Sequence, residues 1–177
     1  VDCNYDDGGY KIIRSKYANV IFRFPSFRFR PSQADALHLD LWVRGRNILA
    51  DAGSYSYNAS PDLSWYFNGT IGHNTVEFDG RDQMPKLGRF LFSSWLKSKN
   101  TTPISRNGDL VSCSAGKKDF MHAEHIRTIE LNENSLFVID QVSGFNRKAI
   151  LRWRLPESSW NIESTLEGQS ISDGDSV

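Results

Sequence analysis

The feature that most constrains the fold of this chain is an alternation of apolar and polar residues with a period of two. In residues 36–43, for example, Leu39, Leu41 and Val43 fall on one face of an extended segment and Asp40 falls on the other. This is the pattern of a half-buried β-strand. Similar alternation predicts further strands over residues 10–14, 19–24, 75–78, 90–96, 110–114, 122–131, 136–142 and 149–155.

These strands, with no long amphipathic helix among them, predict an all-β fold, an antiparallel two-sheet β-sandwich of the super-sandwich type with no substantial helix. The length of 177 residues fits one domain, residues 1–177. Residues 52–72 are too long for a hairpin loop and too polar for a strand, so we expect a long loop that carries binding groups. The polar residues 156–177 predict an incomplete or frayed end.

Charge and hydropathy argue against a nucleic-acid-binding protein and against a membrane-spanning one. Lys and Arg total 21 and Asp and Glu total 21, so the basic excess typical of a nucleic-acid-binding protein is missing. The longest apolar run covers only residues 136–139, which is too short to span a membrane. Residues 11–30 nevertheless contain six basic residues and no acid, which indicates either a site for an anionic ligand or a solvated strand face.

Two stretches of sequence go beyond a generic β-domain. Residues 33–45 read QADALHLDLWVRG and are followed at 51–58 by DAGSYSYN, and residues 66–83 read YFNGTIGHNTVEFDGRDQ. They resemble the C-terminal β-sandwich of the heparinase II/III-like family, which includes lyases that cleave uronic-acid polysaccharides. The resemblance covers about residues 8–155, and it implies a longer parent chain in which an N-terminal α/α toroid forms the other wall of the active cleft.

The resemblance also implies a zinc site at Gln33, Asp51 and His73. The family has a histidine where this chain has Gln33, and an amide oxygen is a poor zinc ligand. We therefore expect zinc to be weakly bound or absent. Asp51 and His73 either hydrogen-bond each other without a metal or form a weak or altered metal site. Strand alternation places His38 on the face opposite Gln33, outside this ligand set, and we assign His38 to substrate binding.

Tyr66 is the candidate catalytic residue, because some family members use a tyrosine in this loop and a tyrosine can transfer protons when cations lie nearby. Its alternatives are sugar stacking and simple packing. Arg28, Arg30 and Arg81 are candidates to hold uronate or sulfate groups, since a guanidinium matches planar oxyanions. Pro31 stands where some family lyases have a catalytic histidine, so that role is absent or has moved.

The predicted function is that of a β-sandwich domain that helps a polysaccharide lyase bind an acidic, uronic-acid-containing polysaccharide, such as a glycosaminoglycan, for β-elimination. We expect the parent to be a bacterial periplasmic or extracellular enzyme and the 177 residues alone to be inactive. The alternative is a non-catalytic carbohydrate-binding or structural module in bacterial surface polysaccharide assembly. A free-standing lectin-like sandwich is a third, weaker interpretation.

Overall fold

The computed structural model describes residues 1–89, 91–158, 160–165 and 168–173. Its first five strands form an antiparallel sheet in sequence order. These strands are β1 (Cys3–Tyr5), β2 (Tyr10–Arg14), β3 (Ala18–Arg23), β4 (Leu39–Val43) and β5 (Arg46–Leu49). The β4–β5 hairpin turns at Arg44 and Gly45, whose φ angles of 50° and 81° match the two-residue turn that hairpins prefer.

One short helix follows this sheet, within the segment for which we predicted a long loop. Helix α1 covers Pro61–Asn68, and a 3-10 turn covers Thr70–Gly72. The hydroxyl of Ser60 accepts a hydrogen bond from the backbone N–H of Leu63, and Pro61 occupies the first turn, so the start of the helix is well capped. This eight-residue helix leaves the all-β prediction intact.

The remaining strands build the second sheet and three short pairs. Three strands precede that sheet, namely β6 (Val76–Phe78), β7 (Lys86–Gly88) and β8 (Leu91–Phe92). The second sheet contains β9 (Ser98–Lys99), β10 (Ser105–Asn107), β11 (Leu110–Lys118), β12 (Glu124–Leu131) and β13 (Leu136–Ser143). The last three strands are β14 (Ala149–Leu151), β15 (Trp160–Thr165) and β16 (Gly168–Asp173). Strand β14 pairs with β6, β15 with β16, and β7 with β8.

The main core lies between the two five-stranded sheets. Buried apolar side chains of β2, β3 and β4, such as Phe22 and Leu39, share one cluster with Val111, Ile129 and Leu131 of β11 and β12. Residues alternate between buried and partly buried along the whole of β12, as expected for a strand with one face on a core. The predicted antiparallel β-sandwich is therefore confirmed.

Several predicted strand bounds need correction. Strand β4 begins at Leu39, because Leu37 has a φ of 62° and interrupts the extended backbone assumed from residue 36. Of the predicted strand 90–96 the structure has β8 at Leu91–Phe92, and Phe90 lies outside the described residues. Within 156–177 the described residues form the β15–β16 hairpin, whereas residues 159, 166–167 and 174–177 lie outside them. The frayed end therefore stays a prediction. Among the described residues, no helix has the length and apolarity needed to cross a bilayer.

Candidate functional site

A cluster of His38, Asp51 and His73 forms where three chain segments meet. His38 directly precedes β4, Asp51 lies two residues after β5, and His73 directly follows the 3-10 turn. One potential ligand atom from each residue lies within 4.8 Å of the other two. The Nδ1 atom of His73 lies 2.6 Å from the Oδ1 atom of Asp51, and both histidines are buried.

The prediction that His38 lies apart from Asp51 and His73 is wrong. It assumed an unbroken strand from residue 36, in which alternation fixes the direction of every side chain. The left-handed backbone at Leu37 breaks that alternation, and the rings of His38 and His73 meet edge to face with centroids 5.5 Å apart. The side-chain amide of Gln33 instead donates to the carbonyl of Gly53 and the hydroxyl of Ser54. The ligand role of Gln33 and the substrate-binding role of His38 stay predictions.

The electrostatics of the cluster favour a neutral His38 and an ionised Asp51. Burial lowers the pKa of His38 to about 3, so this side chain is neutral at physiological pH. Burial opposes ionisation of Asp51, but the hydrogen bond and charge of His73 outweigh burial and lower the pKa of Asp51 below its usual value. The carboxylate of Asp51 is therefore a hydrogen-bond acceptor for the ring of His73.

Tyr66, the predicted catalytic residue, lies in α1 and forms a pair with Arg154. The Nη1 group of Arg154 donates a hydrogen bond to the hydroxyl of Tyr66, and the guanidinium lies 5.3 Å from the centre of the Tyr66 ring. The ring also meets Phe67 edge to face. Sequence reasoning missed Arg154, which follows β14 and is separated from Tyr66 by 88 positions. No local motif marks it.

Asn74 connects this pair with the histidine cluster. Its backbone N–H donates to the Nδ1 atom of His38 at 3.0 Å, and its side-chain oxygen accepts from the backbone N–H of Arg154 at 2.5 Å. Its side-chain nitrogen donates to the carbonyls of Leu39 and Ala50. The fully buried Asn74 therefore fixes the cluster and the Tyr66–Arg154 pair relative to each other.

Arg127 of β12 supports the cluster from the opposite sheet. Its Nη1 group donates to the carbonyls of Leu37 and Asn74, each at 2.6 Å. Its Nε and Nη2 groups donate to both oxygens of Asp140 at 2.7 and 3.0 Å. Arg127 is fully buried. Because Leu37 precedes His38 and Asn74 follows His73, its hydrogen bonds to these two carbonyls fix the backbone beside both histidines.

Two of the predicted arginines lie at a surface cavity. Arg28 and Arg30 are exposed and line a cavity of about 520 Å³ together with Gln33. The guanidinium of Arg28 lies 5.8 Å from the centre of the Phe29 ring. A smaller cavity of about 180 Å³ shares Ser32 and Gln33 with the first one. Its further lining includes Tyr55, Tyr57, Ser54, Ser56, Ser64 and Asn68.

Arg81, the third predicted arginine, is already paired. It donates to Asp79 at 2.7 Å and, through two nitrogens, to Asp119 at 3.1 and 2.7 Å. An anionic sugar would have to displace a carboxylate to reach this guanidinium. Its substrate-binding role stays a prediction, and we leave Arg81 out of the binding surface proposed below.

The donor types of the cluster resemble those of a zinc site, but its hydrogen bonds fit a metal poorly. Two imidazoles and a carboxylate are common zinc ligands. The Nδ1 lone pair of His38, however, already accepts from Asn74, so the neutral ring keeps its proton on Nε2 and has no second lone pair.

Comparison with solved structures shows that the fold of this chain is similar to part of several heparinase structures. Over 94% of the chain it superposes on a structure described as the heparinase III BT4657 gene product, with a TM-score of 0.74 and 19% identity. A heparan sulfate lyase HepC from Pedobacter heparinus matches with a TM-score of 0.71 and 19% identity over 93% of the chain. A further heparinase III matches with a TM-score of 0.68 and 17% identity over 93%. The chain spans about a quarter of each of these proteins, 25%, 25% and 26%.

The family model for the heparinase II/III-like C-terminal domain matches residues 3–176. The chain therefore belongs to this family, as the two sequence motifs predicted. A search of curated proteins finds no match.

Proposed function

We propose that this domain forms one wall of a cleft in which its parent protein binds an acidic, uronic-acid-containing polysaccharide and cleaves it by β-elimination. An N-terminal α/α toroid of the same parent chain supplies the opposite wall and most of the catalytic groups. The proposal places the parent in the periplasm or outside a bacterial cell, where such polysaccharides occur.

The observation that carries the proposal is the exposed pair Arg28 and Arg30 at the rim of the larger cavity. Two unburied guanidinium groups, separated in the chain by one residue, provide planar donors for carboxylate or sulfate groups. The smaller cavity shares Gln33 with the larger one. It is bordered by Tyr55, whose side chain is 70% exposed. Exposed aromatic rings offer apolar faces for sugar rings, so the two cavities together provide charge and stacking along one surface.

Tyr66 is the proposed proton-transfer group of this wall. Its hydroxyl accepts a hydrogen bond from Arg154 and keeps its own proton for an oxygen of the substrate. In β-elimination a base removes the proton α to the uronate carboxylate, and the glycosidic oxygen leaves with a proton from an acid. When Tyr66 donates that proton, Arg154 places a positive charge beside the oxygen on which negative charge develops.

A binding experiment on the 177-residue chain tests the proposed substrate class. We expect an acidic uronic-acid oligosaccharide to bind in calorimetric titrations, to bind more weakly as salt is raised, and to lose about tenfold or more in affinity in the double variant Arg28→Gln/Arg30→Gln. Arg106→Gln is the matched control, because Arg106 is an exposed arginine that pairs with Asp2, and its affinity should be unchanged. Equal binding of a neutral polysaccharide, or no effect of the double variant, contradicts the proposal.

A second candidate is a non-catalytic carbohydrate-binding or structural module. It is favoured by Pro31 and Gln33, which stand where family lyases have histidines, and by the hydrogen bonds of Gln33 to the neighbouring loop. Assay of the parent protein for unsaturated uronide separates the two candidates. The lyase proposal expects product that is lost in Tyr66→Phe, whereas binding without product favours the module.

A further inference from the structure

We infer that an open cavity between strand β9 and the turn that joins β11 to β12 is a second binding site, which takes one acidic sugar unit of a glycan. The cavity measures about 530 Å³, within the range of about 300–1,000 Å³ that is usual for ligand cavities. We call it the lysine cavity, because Lys97, Lys99 and Lys118 line it. It shares no lining residue with the two cavities around Gln33, so it is additional to the surface of the proposed function.

The lysine cavity carries an excess of positive charge. Lys97, Lys99 and Lys118 are all exposed. The ammonium groups of Lys99 and Lys118 share a single carboxylate oxygen of Glu124, at 2.8 and 3.2 Å. Lys97 forms no ion pair among the described residues. Three ammonium groups therefore lie near one exposed carboxylate, and the remaining charge attracts an anionic ligand.

The other carboxylate that lines the cavity, that of Asp119, is already occupied. Asp119 is buried and accepts hydrogen bonds from the guanidinium of Arg81 and from the backbone N–H groups of Met121 and Ala123. These contacts balance its charge and hold the turn of residues 119–123 in place. Because the turn is fixed before a ligand binds, little conformational entropy is lost on binding.

Two aromatic side chains with restrained rings line the same cavity. Trp95 is 42% exposed, and its indole N–H donates to the carbonyl of Phe92 at 2.8 Å. Phe120 is 38% exposed, and the guanidinium of Arg81 lies 5.9 Å from its ring centre. Exposed aromatic carbon packs against the C–H groups of a sugar ring. Rings and ammonium groups together fit a ligand with both apolar faces and negative charge, which describes an acidic sugar better than an inorganic anion.

The use of lysine sets the expected strength of binding. An ammonium is a compact, strongly hydrated charge on a flexible stem, and each ion pair at an exposed position contributes little. We therefore expect weak binding that weakens further as salt is raised. A weak second site adds to the affinity for a long polysaccharide when one polysaccharide chain reaches both sites.

The test follows the indole N–H signal of Trp95 by NMR in the wild-type 177-residue chain while a heparin-derived disaccharide is added. Trp95→Phe assigns this signal among the five tryptophans. We expect the signal to shift with this disaccharide, to shift much less with sodium sulfate at the same concentration, and to stay in place with maltose, which is neutral. Absence of a shift with the heparin-derived disaccharide overturns the inference. An equal shift with maltose or with sulfate overturns the assignment to an acidic sugar.

Two double variants with the same loss of charge locate the site. In Lys97→Gln/Lys99→Gln we expect the affinity measured at Trp95 to fall about fivefold or more. Lys16→Gln/Lys148→Gln is the matched control, because it removes two exposed lysines that line neither this cavity nor the two around Gln33. We expect an unchanged affinity in the control. An equal loss in both variants shows attraction by net charge alone and overturns the inference.

The variant Arg28→Gln/Arg30→Gln separates this second site from the proposed function. We expect the titration at Trp95 to be unchanged in this variant, and a loss of the Trp95 shift there contradicts a second site. When the arginine variant leaves all oligosaccharide binding unchanged but the lysine variant weakens it, the proposed function fails and the lysine cavity stands.

Discussion

Replacing Arg127 is the most informative single perturbation of this fold, because its side chain is fully buried and joins the second sheet to the candidate site. In Arg127→Met the methionine fills much of the same space but donates no hydrogen bonds. The carbonyls of Leu37 and Asn74 then lose their partner, and Asp140 keeps only its contact with His125. Breaking a buried ion pair from one side costs about 3–5 kcal/mol.

A loss of this size would remove a large part of the free energy of unfolding, which is about 5–15 kcal/mol for a domain of ordinary stability. Urea unfolding followed by tryptophan fluorescence measures it, and we expect a lower midpoint with an unchanged dependence on urea concentration. Arg106→Met is the control. Its guanidinium is 44% exposed and pairs with Asp2, so we expect a cost of about 1 kcal/mol or less.

A double variant separates the loss of contacts from the presence of an unpaired buried charge. In Arg127→Met/Asp140→Leu the carboxylate is removed as well, and we expect this variant to be more stable than Arg127→Met alone. The reasoning is refuted if Arg127→Met lowers the free energy of unfolding by no more than Arg106→Met does. It is also refuted if adding Asp140→Leu makes the double variant less stable than Arg127→Met alone.

Two further predictions concern titration and thiol chemistry. Burial lowers the pKa of His125 to about 4 from 6.5, although Asp140 accepts a hydrogen bond from its ring. As the pH drops from 6.5 to 4, the unfolded chain therefore protonates His125 before the folded chain does. The free energy of unfolding falls by up to about 3 kcal/mol over this range. Unfolding measured across that range should show a shallower pH dependence in His125→Gln, and an identical slope contradicts the assignment. Cys113 is 3% exposed and burial raises its pKa to about 11, whereas hydrogen bonds from Tyr5 and Arg14 lower the pKa of Cys3. A disulfide reagent should therefore modify one thiol per native chain at neutral pH and two after unfolding, and two fast thiols in the native chain contradict this.

Alternation in the sequence located several strands closely, but of the predicted strands 90–96 and 149–155 the structure has β8 (Leu91–Phe92) and β14 (Ala149–Leu151). Strand β2 has the predicted bounds of 10–14, and β12 and β13 lie within a residue or two of theirs. Strands of two or three residues, such as β9 and β7, are too short to display a period and exist because a longer strand or a hairpin partner pairs with them. The start of α1 did carry a recognisable signal, Ser60 followed by Pro61 and Asp62, which is a common helix start.

The candidate site was only partly predictable, for a physical reason that Leu37 illustrates. A single residue with positive φ reverses the side-chain direction that alternation assigns to its neighbour, and leucine gives no warning of it. The motif residues Asp51 and His73 were found because they lie within recognisable local sequences. Arg127 and Arg154 were not, since each acts through contacts with residues 53 to 90 positions away in the chain.

These long-range contacts explain why the sequence motif alone does not determine the geometry of the site. Asn74, the residue after His73 in the motif, meets His38, Arg127 and Arg154 through its backbone N–H, its carbonyl and its side-chain oxygen respectively. Each of these three residues belongs to a different part of the sandwich, so the position of Asn74 is set only after both sheets have packed. The short motif therefore supplies the groups of the site, and the buried charge of Arg127 ties their arrangement to the folding of the whole domain.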